Sequence, residues 1–185
     1  MEKSEKAISQ TKVLAEVIVF AALSAGLYAI RPYSLPYGGS ITLGSMVPVM
    51  WLALRRGVIA GFIAGAIFGL IALPIDIMLL PYSPITNPIQ VFLEYPIAFG
   101  ALGLAGIIHR RSVAFAIVGV GISIFVKFLL HVIAGVIFWA WSIPQEWNPV
   151  VYAIVYNGSF LLPEFIISAI LMYILVKKKT LEYAL

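Results

Sequence analysis

Cysteine is absent from the sequence. That excludes disulfides, thiolate metal sites and a cysteine nucleophile. Charge is scarce too: 11% of residues are charged, against about 25% in soluble domains. With 62% hydrophobic residues, a soluble chain of this length cannot hide its apolar surface, so the bilayer is the expected solvent. There are two histidines, His109 and His131, and neither belongs to an H-E-x-x-H pair or a metal-spaced cluster of His and carboxylates. No G-x-x-x-x-G-K-[ST] loop occurs, which excludes ATP hydrolysis by that route. Ser, His and acid form no convincing triad. Basic residues sit at segment ends, which argues against a nucleic-acid surface. There is no internal repeat of the kind that self-sufficient secondary transporters carry.

What remains is a series of apolar runs. Those of about 17–25 residues read as membrane-spanning helices. They are Val13–Ile30, Val58–Leu80, Ile89–Ile108, Val113–Trp141 and Val150–Val176. A sixth run, Leu43–Leu54, is short, and is read as a short span. The charges favour six. Lys3, Lys6 and Lys12 precede the first span, Arg55 and Arg56 follow the second, Arg110 and Arg111 follow the fourth, and Lys177, Lys178 and Lys179 follow the sixth. With six crossings all these clusters fall on one side, the cytoplasmic side by the positive-inside rule. Arg31 and Lys127 fall elsewhere. The expected fold is an all-α integral membrane protein, a six-transmembrane-helix bundle with both termini cytoplasmic. It reads as a single membrane domain over 1–185, with a cytoplasmic segment at 1–12, the bundle at 13–176 and a tail at 177–185. The first twelve residues are polar and show no signal-peptide pattern, so the first apolar segment is expected to be retained. The outer connections, Pro32–Thr42, Pro81–Pro88 and Ser142–Pro149, are rich in Pro, Gly, Ser and aromatic residues.

Glu94 is the most informative residue. It sits inside the apolar run Ile89–Ile108, where an unpaired carboxylate costs about 3 kcal/mol or more. At 1.5 Å per helical residue, Glu94 lies roughly 8 Å below the outer boundary, Asn157 roughly 10 Å and His131 roughly 15 Å, with Trp139 and Tyr152 near the rim. Lys127, His131, Gly135 and Trp139 recur every four residues and form one stripe. Gly135 leaves room beside the rings. One anion among flat aromatic groups and amide donors is the layout of a site for a small organic cation.

Each of these residues also has a plainer reading. Glu94 can pair with Lys127 as a structural ion pair, His131 can be a satisfied core histidine, and Asn157 can join helices. Trp141 and Trp147 read as interfacial belt residues. Asp76 reads as interface chemistry, and Glu164 as structural or coupled to Lys127. Gly57, Gly61, Gly65 and Gly69 form a small-residue face read as packing within the chain. Pro74, Pro96 and Pro163 are expected to kink or interrupt their helices.

Gly38–Ser40, Arg55–Gly57, LEYPIAFGALGLAGI at Leu93–Ile107, KFLLHVIAGVIFW at Lys127–Trp139 and Tyr152 with YNGSFLLP at Tyr156–Pro163 together resemble the thiamine-specific substrate-binding subunits (S components) of energy-coupling factor transporters, the ThiT/YuaJ family. The resemblance covers nearly the whole chain. It implies a non-enzymatic six-helix subunit without a cofactor, in a prokaryotic cell membrane. It implies that thiamine is captured from outside and delivered through a transmembrane coupling subunit and two cytoplasmic ATPases. It places Glu94, Tyr95, His131, Trp139, Tyr152 and Asn157 in the pocket, with Gly135 and Lys127 beside them. Where some relatives carry a tryptophan that covers the ligand, this sequence has Gly39, and Tyr37 is the expected substitute. Tyr82 is the expected tyrosine from the loop before the fourth span. Ala21, Ala22 and Ala25 are the expected small residues for docking the coupling subunit. The alternatives are a thiamine precursor or another vitamin as ligand, or an intramembrane enzyme using Glu94 and His131 as acid and base.

Overall fold

The computed structural model describes residues 2–79, 87–108 and 112–178, with side chains from residue 10 onward. Tyr82, His109, Arg110, Arg111 and Lys179 lie outside the described residues, as do the side chains of Lys3 and Lys6. Helices α1 (Glu2–Tyr28), α2 (Val47–Arg56) and α3 (Val58–Leu79) are followed by a composite helix α4 (Pro88–Ile107), then α5 (Val113–Phe138) and α6 (Pro149–Lys177). Among the described residues, five helices, all but α2, are long and apolar enough to cross a bilayer.

The short helix α2 has 10 residues, about 15 Å of rise, roughly half a bilayer core. Its crossing is completed by buried non-helical chain: Ser40, Thr42, Ser45 and Met46 lie just before it and are all buried. Irregular backbone is tolerated at membrane depth where protein surrounds it. Helix α2 meets that condition, with Val47 through Ala53 buried against α1, α3, α4 and α6. Six crossings put both termini on the same side.

The outer connection between α1 and α2 adds a minimal hairpin to the all-α bundle. Tyr33–Ser34 (β1) and Ser40–Ile41 (β2) pair as an antiparallel hairpin, with Tyr33 opposite Ile41. Gly38 and Gly39 form its turn with φ of 98° and 77°, a region that favours glycine.

Side chains are distributed as they are in lipid. Met78 is 81% exposed while Asp76, two residues away, is buried. On α1, Val17, Ala21, Ala25 and Tyr28 form a buried stripe at helical spacing. This corrects the docking expectation. Ala21 and Ala25 face inward against α2 and α3 and are sealed inside the chain, whereas Ala22 and Gly26 face outward.

Close packing of α3 on α4 positions the site. A Cβ on Gly65 would strike the Phe99 carbonyl, one on Gly69 the Tyr95 carbonyl, and one on Gly61 the backbone of Gly103. Gly61, Gly65 and Gly69 therefore pack within the chain, whereas an added Cβ on Gly57 would meet nothing within 4 Å. This packing brings the backbone of Leu93–Ile97 against α3. That segment is a single π-turn containing Pro96. Proline has no N–H to donate, so the ladder is interrupted, and Ala98 N–H reaches back five residues to the Leu93 carbonyl. Glu94 and Tyr95 ride on this widened turn.

Candidate ligand-binding site

A cavity opens below the hairpin, lined by α3, the π-turn, α5 and α6. Glu94, Tyr95, His131, Trp139, Tyr152 and Asn157 all line it, as do Gly135, Lys127 and Tyr37. The π-turn aims Glu94 inward. Its Oε1 accepts from the Trp139 indole N–H at 2.7 Å and its Oε2 from the Gln90 side chain at 3.1 Å. Hydrogen bonds to a charged group are worth about 1.5–3 kcal/mol each, enough to offset the cost of a carboxylate at this depth.

Lys127 does not neutralise Glu94. Its Nζ sits 3.3 Å from the centroid of the Phe99 ring as a cation–π contact, in a buried position. It makes no hydrogen bond with any described residue and lines the cavity. Glu164 is committed elsewhere: one of its oxygens accepts from both the backbone N–H and the hydroxyl of Thr42. That bond ties α6 to the root of the hairpin.

On α5 and at its C-terminal cap, the Lys127–Trp139 stripe faces the cavity along its whole length. The His131 ring meets Phe160 edge-on at 6.3 Å. Gly135 marks a close helix approach, where an added Cβ would press on Ala153. On α6, Asn157 donates from its amide nitrogen to the Ala153 and His131 carbonyls, which leaves its oxygen as an acceptor. Tyr152 stacks on Tyr156 at 5.9 Å and meets Trp147 edge-on.

The hairpin is latched over the cavity by Tyr156. Its hydroxyl donates to the Gly38 carbonyl at 2.8 Å and accepts from Tyr37 N–H at 3.2 Å. The Tyr37 ring then lies 6.4 Å from Trp139 and 5.8 Å from Trp141. At Gly39 a Cβ would collide with the Phe160 ring, so this chain has no room there for a large side chain unless Phe160 moves.

Sequence reasoning missed Tyr28, Phe99, Phe160 and Thr42 as lining residues, and undervalued Asp76, Tyr156 and Glu164. The last two carried a readable signal: Tyr156, Phe160 and Glu164 recur at four-residue spacing beside Asn157. Asp76 carried none, since a carboxylate near a helix end is ordinarily solvated.

With this geometry in place, comparison decides the family. The family described as Thiamine transporter protein (Thia_YuaJ) matches residues 14–183. This chain belongs to it. The thiamine transporter ThiT of Lacticaseibacillus paracasei is 29% identical over 90% of this chain and 88% of its own length. That of Bacillus subtilis is 29% identical over 91% and 93%. The solved structure of ThiT from Listeria monocytogenes superposes with a TM-score of 0.79 at 28% identity, covering 92% of this chain and 96% of that one. As a member of the thiamine transporter family, the chain is a multi-pass membrane protein of transport, which sets aside the intramembrane-enzyme reading.

Proposed function

We propose that this chain is the S component of an energy-coupling factor transporter, resident in a prokaryotic cell membrane, that captures thiamine from the outer face. The observation that carries the reading is Glu94. It is a half-buried carboxylate with two hydrogen-bond donors and no described cation partner, facing a cavity walled by Trp139, His131, Tyr152 and Tyr37. A thiazolium cation and a flat aminopyrimidine suit such a wall by charge and by stacking, with about 0.5–2 kcal/mol per good cation–π contact. Charge balance supports a monocation. Three carboxylates (Asp76, Glu94 and Glu164) set against Lys127 and the Arg31 bound to Asp76 leave one formal negative charge. Arg31 is spent on Asp76 at 2.6 Å, so it is not waiting for a phosphate, and free thiamine is the preferred form.

ATP hydrolysis belongs to partner subunits, a transmembrane coupling protein and two cytoplasmic ATPases. The outward face of α1 at Ala22 and Gly26 is the docking surface we assign to the coupling protein. Titration of the purified chain with thiamine tests the central reading. Tryptophan fluorescence falls as ligand stacks near Trp139, saturating at or below micromolar vitamin. A folded sample with no response at that concentration overturns it. Competition with isolated pyrimidine and thiazole fragments separates thiamine from its precursors.

A further inference from the structure

Beside Tyr95, at the edge of the cavity, lies a polar cluster that the aromatic wall does not explain. Asp76 Oδ2 accepts from the Tyr95 hydroxyl at 3.0 Å and from the Tyr28 hydroxyl at 3.1 Å. Arg31 Nη2 closes on the other carboxylate oxygen at 2.6 Å, and the two side chains are only 5% and 9% exposed. Arg31 is itself held in place. Its Nε donates to the Tyr28 carbonyl at 2.9 Å, and its guanidinium lies 4.1 Å from the centroid of the Tyr28 ring. Such a buried ion pair is costly to desolvate, and both tyrosine hydroxyls and the guanidinium converge on the one carboxylate.

The consequence lies in the direction of one hydrogen. A phenol carries one donor hydrogen and two acceptor lone pairs, and an ionised carboxylate only accepts. With its hydrogen committed to Asp76, Tyr95 offers only acceptor lone pairs. Its neighbour Glu94 also only accepts, and each of its oxygens already takes one donor, which leaves further lone pairs. Two consecutive residues on the π-turn therefore present acceptors and no donor.

We propose that Asp76, held by Arg31, is a positioning residue that sets the polarity of the Tyr95 hydroxyl, so that the Glu94–Tyr95 turn accepts a ligand amine and rejects the same ring carrying a carbonyl in that place. This inference rests on the thiamine reading and names the group within thiamine, its exocyclic amine, that the turn recognises.

The test compares thiamine with oxythiamine, in which oxygen replaces that amine. Dissociation constants for both are measured by calorimetry on the full chain in detergent, for wild type, Asp76→Asn and Tyr95→Phe. In Asp76→Asn the amide can donate to the Tyr95 oxygen and free the hydroxyl hydrogen to turn toward the ligand. Wild type is expected to prefer thiamine by at least about tenfold, since unpaired buried polar groups strongly penalise the wrong analogue. Asp76→Asn is expected to weaken thiamine about tenfold while oxythiamine changes less than about threefold, so that the preference collapses. Tyr95→Phe should shrink the preference in the same direction, and it serves where Asp76→Asn fails to fold. Equal loss of both ligands, or an unchanged preference in either folded variant, overturns the proposal, because a purely structural role lowers both affinities together. Equal binding of both by wild type overturns it as well. Wild type that binds neither compound overturns the thiamine reading, and this proposal falls with it.

Discussion

Trp139, which caps the C-terminal end of α5, donates its indole N–H to the Glu94 carboxylate on α4 across 2.7 Å. One bond thus joins the aromatic wall to the acid. Ring and charge are locked in a fixed relation before ligand arrives, which is the preorganisation that limits the ordering cost of binding. Gln90, one turn before Glu94, holds the other oxygen.

Glu94→Gln tests the charge at nearly constant volume. The substituted amide removes the anion and sets an NH2 group against either the Trp139 or the Gln90 donor. Thiamine affinity is expected to fall tenfold or more, about 1.4 kcal/mol, in a fluorescence titration. Unchanged affinity would remove the carboxylate from recognition.

Tyr156→Phe tests the latch. It deletes the hydroxyl that joins Gly38 and Tyr37 to α6. Two net hydrogen bonds are worth about 1–3 kcal/mol together, so thiamine release should accelerate at least about fivefold. Stopped-flow fluorescence reads this directly. A slower association with unaltered release would mean that the hairpin is held by other contacts.

Gly69→Ala tests how the π-turn is seated. The new methyl meets the Tyr95 carbonyl, a backbone atom that cannot swing aside. Overpacking of this kind costs about 1–3 kcal/mol, and the shifted turn carries Glu94 with it, so melting temperature and thiamine affinity should fall together. Gly26→Ala is the control, because nothing lies within 4 Å of its added Cβ. Equal effects from the two substitutions would contradict the packing account.

The two faces of α1 are expected to separate folding from the proposed docking. Ala21→Leu, at a fully buried position, should lower the melting temperature. Ala22→Leu combined with Gly26→Leu should leave thiamine binding by the isolated chain intact and reduce ATP-driven uptake in the assembled transporter. Full uptake by the double variant would move the docking surface elsewhere.

The spans were legible because each is a local property: a run of apolar residues long enough to cross, closed by charge. Lys127, His131, Gly135 and Trp139 were legible as one face because helical spacing alone puts them there, and all four line the cavity. Ala21 and Ala25 were misread because small residues look alike on either side of a helix, and the rotation of α1 is set by what α2 and α3 present to it. The length of α2 was readable, but its buried surroundings were not, since they come from four other helices.

By itself the sequence determined the solvent, the apolar spans, the break at Pro96 and the small-residue face of α3. These follow from composition and spacing within single segments. Tertiary structure decided the partners. It gave Glu94 to Trp139 rather than Lys127, placed Lys127 on Phe99, and joined Arg31 to Asp76 beside Tyr95. Those pairings depend on helix rotation and on the close approach of segments far apart in the chain. A buried polar group takes whichever complementary group packing brings within reach.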